Sequence, residues 1–191
     1  METVKLADFG FSDGINEVIA ITFKESGEPN TAPVGVIVGN AESDSAVVRL
    51  YPSHTRQNVE REGVIYVNVI LDPLVFVIAT FEDLGVESFE SLDPPVLRGA
   101  LSWCRFRAEL RGGFAHLKLE DGGVLRKVVR AHNRGFAALI EALVYASRYR
   151  IARSGALEEE IVKCKNIVLR CGGEAEKRAF EVLEEKLGVR F

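Results

Sequence analysis

The segments Asn30-Thr31-Ala32-Pro33-Val34-Gly35-Val36 and Ser53-His54-Thr55-Arg56-Gln57-Asn58 decide how this chain of 191 residues is interpreted. The first is typical of a strand in which Pro33 removes one ladder donor and Gly35 removes one side chain. Such a strand offers bare backbone to a flat ring. The second gathers hydroxyls, an amide and a guanidinium, which suit the oxygen atoms of a phosphate.

Each segment also has a plainer explanation. Residues 30–36 fit an edge strand with a bulge, and residues 53–58 fit the start of a surface helix through Arg61. If that helix begins here, Ser53 or Thr55 could cap it, and its N-terminus would add affinity for an anion. Each plainer explanation is favoured for its segment alone. The two segments together, separated by one strand, favour a ligand site.

The sequence around these segments predicts a β-rich first part. In residues 18–24, Ile19, Ile21 and Phe23 alternate with smaller or polar residues, which is the period of a half-buried strand. Ser26-Gly27-Glu28-Pro29 predicts a turn to the next strand. The acidic segment 82–95 is interpreted as a loop or short helix. The predicted strands are residues 18–24, 30–36, 46–51, 63–71, 73–81, 101–110 and 114–119.

About seven short strands with few intervening helices predict a closed or nearly closed β-barrel, because closure removes exposed edges. After Gly123 the apolar residues follow helical spacing, as in Phe136, Leu139 and Leu143. Two or three C-terminal helices are therefore expected, packed on the barrel or on a neighbouring subunit. The predicted fold class is α+β, with a barrel domain over residues 1–123 and a helical region over residues 124–191.

Composition disfavours several classes of function. The net charge is −4 and the pI about 5.5, which argues against a general nucleic-acid binder. A basic surface for a nucleic acid or a pterin-related ligand is the weakest alternative. It would use Arg105, Arg107, Arg126, Lys127, Arg130 and Arg134. No apolar run approaches the ~20 residues that span a bilayer, so a cytoplasmic protein without membrane contact is expected.

Motifs of other catalytic classes are missing from the sequence. The three cysteines, Cys104, Cys164 and Cys171, form no CxxC pair, so we interpret them as reduced packing thiols, with neither a disulfide framework nor a metal site. There is no HExxH, GxSxG, GxGxxG or P-loop pattern, and the three histidines lie in separate segments. A bound phosphate would need another holder, which makes residues 53–58 the candidate.

The order Asn30-x-Ala32-Pro33, a strand, Ser53-x-Thr55-x-x-Asn58, and a strand with Val67-Asn68-Val69 resembles the FMN-binding split barrel of the flavin reductase-like superfamily. In that family an N-x-A-P strand lies along the flavin, and a T-x-x-N turn that opens a helix holds its phosphate. Residues 133–148 resemble a mainly archaeal branch that adds a C-terminal helical region. The resemblance covers nearly the whole chain.

The resemblance implies that FMN is the cofactor and that the protein is a homodimer with flavin near the interface. The strand residues implied to line the isoalloxazine are Asn30, Thr31, Ala32, Pro33, Val34, Gly35 and Val36. The implied phosphate contacts are Ser53, Thr55, Arg56 and Asn58. Further candidates are Arg49, Tyr51 and Asn68. Trp103 and Arg105 could serve the partner's site or make a plain dimer contact.

One departure concerns the reaction. Typical flavin reductases carry a late Gly-Asp-His segment near the flavin, whereas this chain has Arg111-Gly112-Gly113-Phe114-Ala115-His116. This difference argues against NAD(P)H-driven flavin reduction, and we interpret His116 as a half-exposed strand residue. The resemblance then favours an FMN-dependent oxidoreductase acting on an unidentified small molecule. The alternative is a module in which FMN is a structural or sensory ligand.

Overall fold

The structure, a computed structural model, describes residues 4–191. The chain forms two compact units. The first comprises residues 4–71 and 83–128, and the second comprises Asp72–Glu82 and Val129–Phe191.

The first unit is a closed barrel of six antiparallel strands. The barrel strands are β1 Gly14–Phe23, β2 Pro29–Val38, β3 Ser45–Arg49, β4 Val64–Val69, β7 Ser102–Arg111 and β8 Phe114–Val124. Around the barrel they follow the order β1-β2-β3-β8-β7-β4. The predicted closed barrel is confirmed, with six strands in place of about seven. The other elements are the two-stranded pair β5 Phe89–Leu92 and β6 Pro95–Leu97, the helix α1 His54–Glu62, and 3₁₀ helices at Leu6–Phe9 and Val86–Ser88.

Side chains that alternate along the strands fill the barrel. On β3, Val48 is buried while Arg49 is exposed, and on β7, Cys104 and Phe106 are buried while Arg107 is exposed. This is the alternation that the sequence predicted. Burial raises the pKa of the Cys104 thiol far above its ordinary value, as expected of a packing cysteine.

The β1–β2 hairpin turns where the sequence predicted it, with Gly27 at φ 83°. Strand β2 pairs with β1 along its whole length, from Phe23 opposite Pro29 to Gly14 opposite Val38. Its ladder with β3 contains only Val36 and Ile37. Residues 30–35 therefore have a neighbouring strand on one side only, and on the other side the Thr31 N–H donates to Asp83 Oδ1.

The second unit consists of four helices: α2 Pro73–Phe81, α3 Arg134–Ala152, α4 Gly155–Cys171 and α5 Glu174–Leu187. The three C-terminal helices are confirmed. No helix within residues 4–191 combines the length and apolar character needed to cross a bilayer.

Helix α2 corrects the predicted strand over residues 73–81. The Asp72 side chain accepts hydrogen bonds from the Leu74 and Val75 N–H groups, and Pro73 occupies the first helical turn, so the local signals favour a helix. A short apolar run has no period that separates a buried strand from a buried helix. Phe76 packs edge-on against Phe136 of α3, with ring centroids 5.9 Å apart. The predicted boundary between residues 123 and 124 stays a prediction.

Candidate functional site

The two segments that the sequence singled out meet in the structure at one end of the barrel. The Asn30 Nδ2 atom of β2 donates to the Thr55 Oγ1 atom of α1 at 3.0 Å. Both side chains are buried, at 5% and 4% exposure. This part of β2 and the start of α1 are therefore direct neighbours.

The buried contact is part of a larger hydrogen-bond network. Thr22 Oγ1 accepts from Asn30 Nδ2 at 3.1 Å and from Asn58 Nδ2 at 3.0 Å, while Asn58 Oδ1 accepts from Arg61 at 3.2 Å. The side chains of Asn30, Thr55 and Asn58 are thus satisfied by one another and by Thr22. They fix α1 to β1 and β2. Thr22 was not among the predicted site residues, although it faces Asn30 across the predicted hairpin.

The N-terminus of α1 is arranged to receive an anion. Ser53 is the N-cap: its Oγ accepts from the Arg56 N–H at 3.3 Å, and its carbonyl accepts from the Gln57 N–H at 3.1 Å. The N–H groups of His54 and Thr55 have no hydrogen-bond partner within residues 4–191, so they stay available to a ligand. An open cleft of about 420 Å³ adjoins them. It is lined by Pro52, Ser53, His54, Arg56, Gln57 and Glu60.

Arg56 has a structural role as well as a position in the cleft. Its guanidinium donates to the Leu50 carbonyl at 3.4 Å and to the Gly112 carbonyl at 3.0 Å. These contacts tie the start of α1 to the end of β3 and to the β7–β8 turn. A guanidinium carries five N–H donors, so the remaining ones can still face an anion.

The outer face of β2 is partly covered by other residues. Thr31, Pro33 and Gly35 point outward, with Thr31 buried at 4% exposure, while Val34 and Val36 alternate toward the core and Ala32 lies on their side of the strand. A Cβ atom on Gly35 would lie 2.8 Å from Ile15 Cγ2 and 2.9 Å from Glu17 Oε1, so these side chains need the space that glycine leaves. The Thr31 N–H is taken by Asp83 Oδ1 at 2.8 Å.

Arg49 and Tyr51 lie on the surface beside the α1 N-terminus. The Arg49 guanidinium carbon stands 4.8 Å from the centroid of the Tyr51 ring and 5.9 Å from that of the Phe114 ring. Phe114 faces Arg49 in the β3–β8 ladder. Phe114 was not among the predicted site residues, because only the strand register brings it next to Arg49.

Asn68 lies elsewhere and serves the fold. It is fully buried, its Oδ1 accepts from the Leu97 N–H at 2.6 Å, and its Nδ2 donates to the Pro95 carbonyl at 3.1 Å. Both ends of its amide therefore hold β6 against β4.

Trp103 and Arg105 lie on β7, on the far side of the barrel from β2. In the ring of six strands, three steps separate β7 from β2 in either direction. The Trp103 indole lies over Gly123, and Arg105 shares Glu120 with Arg107 in an ion-pair cluster. These two residues therefore cannot join the β2 surface of their own subunit.

The remaining predicted features do not converge on this site. His116 is exposed on β8, opposite Val47 and Glu109. The basic surface of the third alternative is interrupted by carboxylates, since Arg105 and Arg107 contact Glu120 and Arg126 contacts Glu90 at 2.7 Å. This pairing disfavours nucleic-acid binding.

Comparison with known proteins gives matches along most of the chain. Two family models match: "protein of unknown function (DUF447) N-terminal domain" over residues 16–122, and "protein of unknown function (DUF447)" over residues 133–185. An FMN-bound protein of Methanosarcina mazei, assigned to the same family model, is 35% identical with a TM-score of 0.84. The match covers 95% of this chain and 99% of that one.

More distant similarity is found to a styrene monooxygenase flavin reductase of Pseudomonas putida, with 15% identity and a TM-score of 0.46. That match covers 62% of this chain and 84% of the reductase. Flavoredoxin of Desulfovibrio vulgaris is 11% identical with a TM-score of 0.47, covering 63% of this chain and 75% of its own.

Proposed function

The chain belongs to the DUF447 family, and from this premise we propose that it is an FMN-binding flavoprotein, acting as an oxidoreductase on a small molecule. The M. mazei structure contains FMN, and this chain covers 99% of that protein. The observation that carries the proposal is the open N-terminus of α1 beside the one-sided stretch of β2. Together they offer an anion site next to a strand that has a neighbouring strand on one side only.

The residues divide into ligand contacts and supports. The FMN phosphate is held by the N–H groups of His54 and Thr55 and by the remaining donors of Arg56. The isoalloxazine lies along the outer backbone of residues 31–35. Asn30 and Asn58 act indirectly, because their buried side chains hold α1 against the barrel.

Bound FMN supplies the redox chemistry, since the isoalloxazine accepts and releases electrons. The protein contributes position and exclusion of water on one face of the ring. A substrate would reach the opposite face.

The phosphate site is tested by substituting Ser53 with aspartate. Aspartate is a good N-cap, so Ser53→Asp keeps the helix start while it places a negative charge where the phosphate binds. We expect the affinity for FMN to fall by roughly tenfold or more, and that for riboflavin, which lacks the phosphate, to change little. Titration of flavin fluorescence measures both affinities. Ser147→Asp, an added charge on the exposed face of α3, is the control.

Two results would contradict the proposal. Purified protein that is colourless and does not bind added FMN would exclude a flavoprotein. Equal losses for FMN and riboflavin in Ser53→Asp would place the phosphate elsewhere.

The proposed assembly is a homodimer in which Trp103 and Arg105 contact the flavin of the partner subunit. Their position opposite β2 supports this arrangement, because they cannot reach the flavin of their own chain. Mixing Trp103→Ala subunits with Ser53→Asp subunits provides a test. A mixed dimer would contain one intact site and one doubly altered site, so FMN binding should be partly restored. No restoration would show that Trp103 does not act across an interface.

Anaerobic reduction distinguishes an oxidoreductase from a module in which FMN is a structural or sensory ligand. Bleaching of the bound flavin by NADH, NADPH or a reduced viologen, followed by reoxidation with an added acceptor, supports an oxidoreductase. If bound flavin stays oxidised with all three donors, FMN is a structural or sensory ligand.

A further inference from the structure

We infer that Asp83 and Leu84 form a clasp that holds the free edge of β2 in place for the isoalloxazine ring. Asp83 is then a positioning residue of the flavin site, although it lies outside both segments that the sequence singled out. This inference rests on the proposed function, because it concerns the strand assigned to the ring. It adds a residue that acts on the ring through β2.

The clasp makes a reciprocal contact with Thr31. The Thr31 N–H donates to Asp83 Oδ1 at 2.8 Å, and the Leu84 N–H donates to Thr31 Oγ1 at 2.8 Å. Thr31 is 4% exposed and Leu84 is 5% exposed, so the contact is shielded from water. The other carboxylate oxygen, Asp83 Oδ2, lies 2.7 Å from Lys24 Nζ. Because Lys24 directly follows β1, the clasp is tied to both strands of the hairpin.

The place of the clasp along β2 indicates its role. On the side away from β1, the ladder with β3 holds Val36 and Ile37, and the clasp holds Thr31. Residues 32–35 lie between these two attachments, a span about 13 Å long at roughly 3.3 Å per residue. Pro33 comes two residues after Thr31 on the same edge and has no N–H to donate. The clasp therefore fixes one end of the span along which the ring is proposed to lie.

The hydrogen bond to Thr31 matters more than the ion pair. The Lys24 and Asp83 side chains are 36% and 32% exposed, and an ion pair exposed to this degree contributes little to stability. A hydrogen bond from a backbone N–H to a carboxylate is charge-assisted, and here it is made by a buried residue. Its loss would leave the Thr31 N–H without an acceptor at the end of the proposed ring site.

A loosened edge should weaken the binding of the ring and not that of the phosphate. FMN and riboflavin share the isoalloxazine, whereas only FMN carries a phosphate. A mobile edge must be ordered when the ring binds, and this cost lowers the affinity for both ligands equally. The phosphate variant Ser53→Asp differs, because it is expected to weaken FMN and leave riboflavin nearly unchanged.

The binding experiment uses the full-length chain in its flavin-free form. In Asp83→Ala we expect roughly tenfold weaker binding of both FMN and riboflavin, measured by flavin fluorescence. Asp83→Asn keeps an acceptor oxygen for the Thr31 N–H and loses the ion pair, so both affinities should stay within about threefold of wild type. Asp44→Ala is the matched control, because it removes a carboxylate that pairs with Lys118 of β8 at 2.6 Å. It should change neither affinity.

Amide hydrogen exchange, followed by NMR in flavin-free protein, tests the clasp without a ligand. In wild type the Thr31 and Leu84 amides should exchange slowly, and Asp83→Ala should accelerate exchange at Thr31 by roughly tenfold or more. Thr31→Val is the second variant if Asp83→Ala does not fold. It removes the acceptor of the Leu84 N–H, so it should accelerate exchange at Leu84 and weaken both flavins.

Three results would overturn the positioning role of Asp83. Unchanged affinities in Asp83→Ala, or a loss for FMN alone, would show that the clasp does not position the ring. Equal losses in Asp83→Asn and Asp83→Ala would assign the effect to the ion pair with Lys24. Equal losses in Asp83→Ala and Asp44→Ala would show a general loss of stability. Wild-type protein that binds neither flavin refutes the proposed function itself, whereas flavin binding that is insensitive to the clasp variants refutes only the clasp.

Discussion

Replacing Thr22 with valine should detach α1 from the barrel without changing the volume of the core. Thr22 is 3% exposed, and its hydroxyl accepts from Asn30 at 3.1 Å and from Asn58 at 3.0 Å. In Thr22→Val, Asn30 keeps Thr55 as an acceptor, whereas the Asn58 Nδ2 group loses the acceptor given by this network. One buried donor is therefore left unsatisfied.

The expected loss in free energy of unfolding follows from the number of hydrogen bonds lost and buried donors left unsatisfied. A buried donor without a partner costs about 1–3 kcal/mol, and the lost hydrogen bond to Asn30 adds about 1 kcal/mol or less. We expect a total of about 2–3 kcal/mol, which for a chain of this size lowers the melting temperature by roughly 5–10 °C.

The assay is thermal and urea unfolding of flavin-free protein, so that ligand binding does not contribute to stability. Thr22→Ser keeps the hydroxyl and is the control, with a smaller loss from the missing methyl group. FMN affinity should fall in Thr22→Val because α1 carries the proposed phosphate contacts. A valine variant as stable as wild type, or less destabilised than the serine variant, would refute the assignment of Thr22 as the centre of the network.

Further predictions concern both units. Glu184 is 3% exposed, and its carboxylate accepts from Lys165 at 2.8 Å and from the Phe191 N–H at 2.7 Å. Desolvation by burial raises the pKa of this carboxyl, but the hydrogen bonds outweigh that effect, so the pKa is lowered. The stabilisation by the ionised Glu184 carboxylate should be complete above about pH 4.5 and disappear as the pH falls through the lowered pKa. The free energies of unfolding of Glu184→Gln and wild type should therefore differ by about 2 kcal/mol at pH 7 and become equal in acid. Arg134 donates to the Cys171 sulfur at 3.0 Å and lowers the pKa of that thiol, whereas burial raises the pKa of Cys104 and Cys164. Iodoacetamide should therefore modify Cys171 first, as judged by mass spectrometry, and Arg134→Ala should slow that reaction. Removing the helix cap by Asp72→Ala should cost about 1 kcal/mol, and an unchanged unfolding midpoint would contradict capping of α2 by this residue.

The strands of the barrel could be predicted wherever one face of the strand is buried and the other is exposed to solvent. On β3 and β7 the period of two marks the core side, so Val48 and Phe106 were correctly placed inside. Helix α2 was mistaken for a strand because its run of valine, isoleucine and phenylalanine has no polar face that would reveal a helical period. The decisive local signal was Asp72 before Pro73, a cap and a first-turn proline.

The candidate site was predictable as two segments but not as a set of contacts. Short-range order showed that residues 53–58 could begin a helix, and Ser53 does cap it. The role of Thr55 depends on Asn30 and that of Asn58 on Thr22. The position of Arg56 depends on the Gly112 carbonyl, 56 residues away in sequence. Contacts of that kind are determined by strand register, which no local pattern contains.

The discontinuity of the second unit has a consequence during synthesis. Helix α2 leaves the ribosome between β4 and β5, before both of its partners: α3 begins at Arg134 and α5 ends at Leu187. At 5–20 residues per second, α5 is complete on the order of 5–20 s after α2, and α3, which carries the Phe76 partner Phe136, follows α2 after roughly half of that time. A nascent chain stopped after residue 128 would expose this apolar helix. Chaperone binding at α2, released only when α5 is complete, is the behaviour expected of the growing polypeptide.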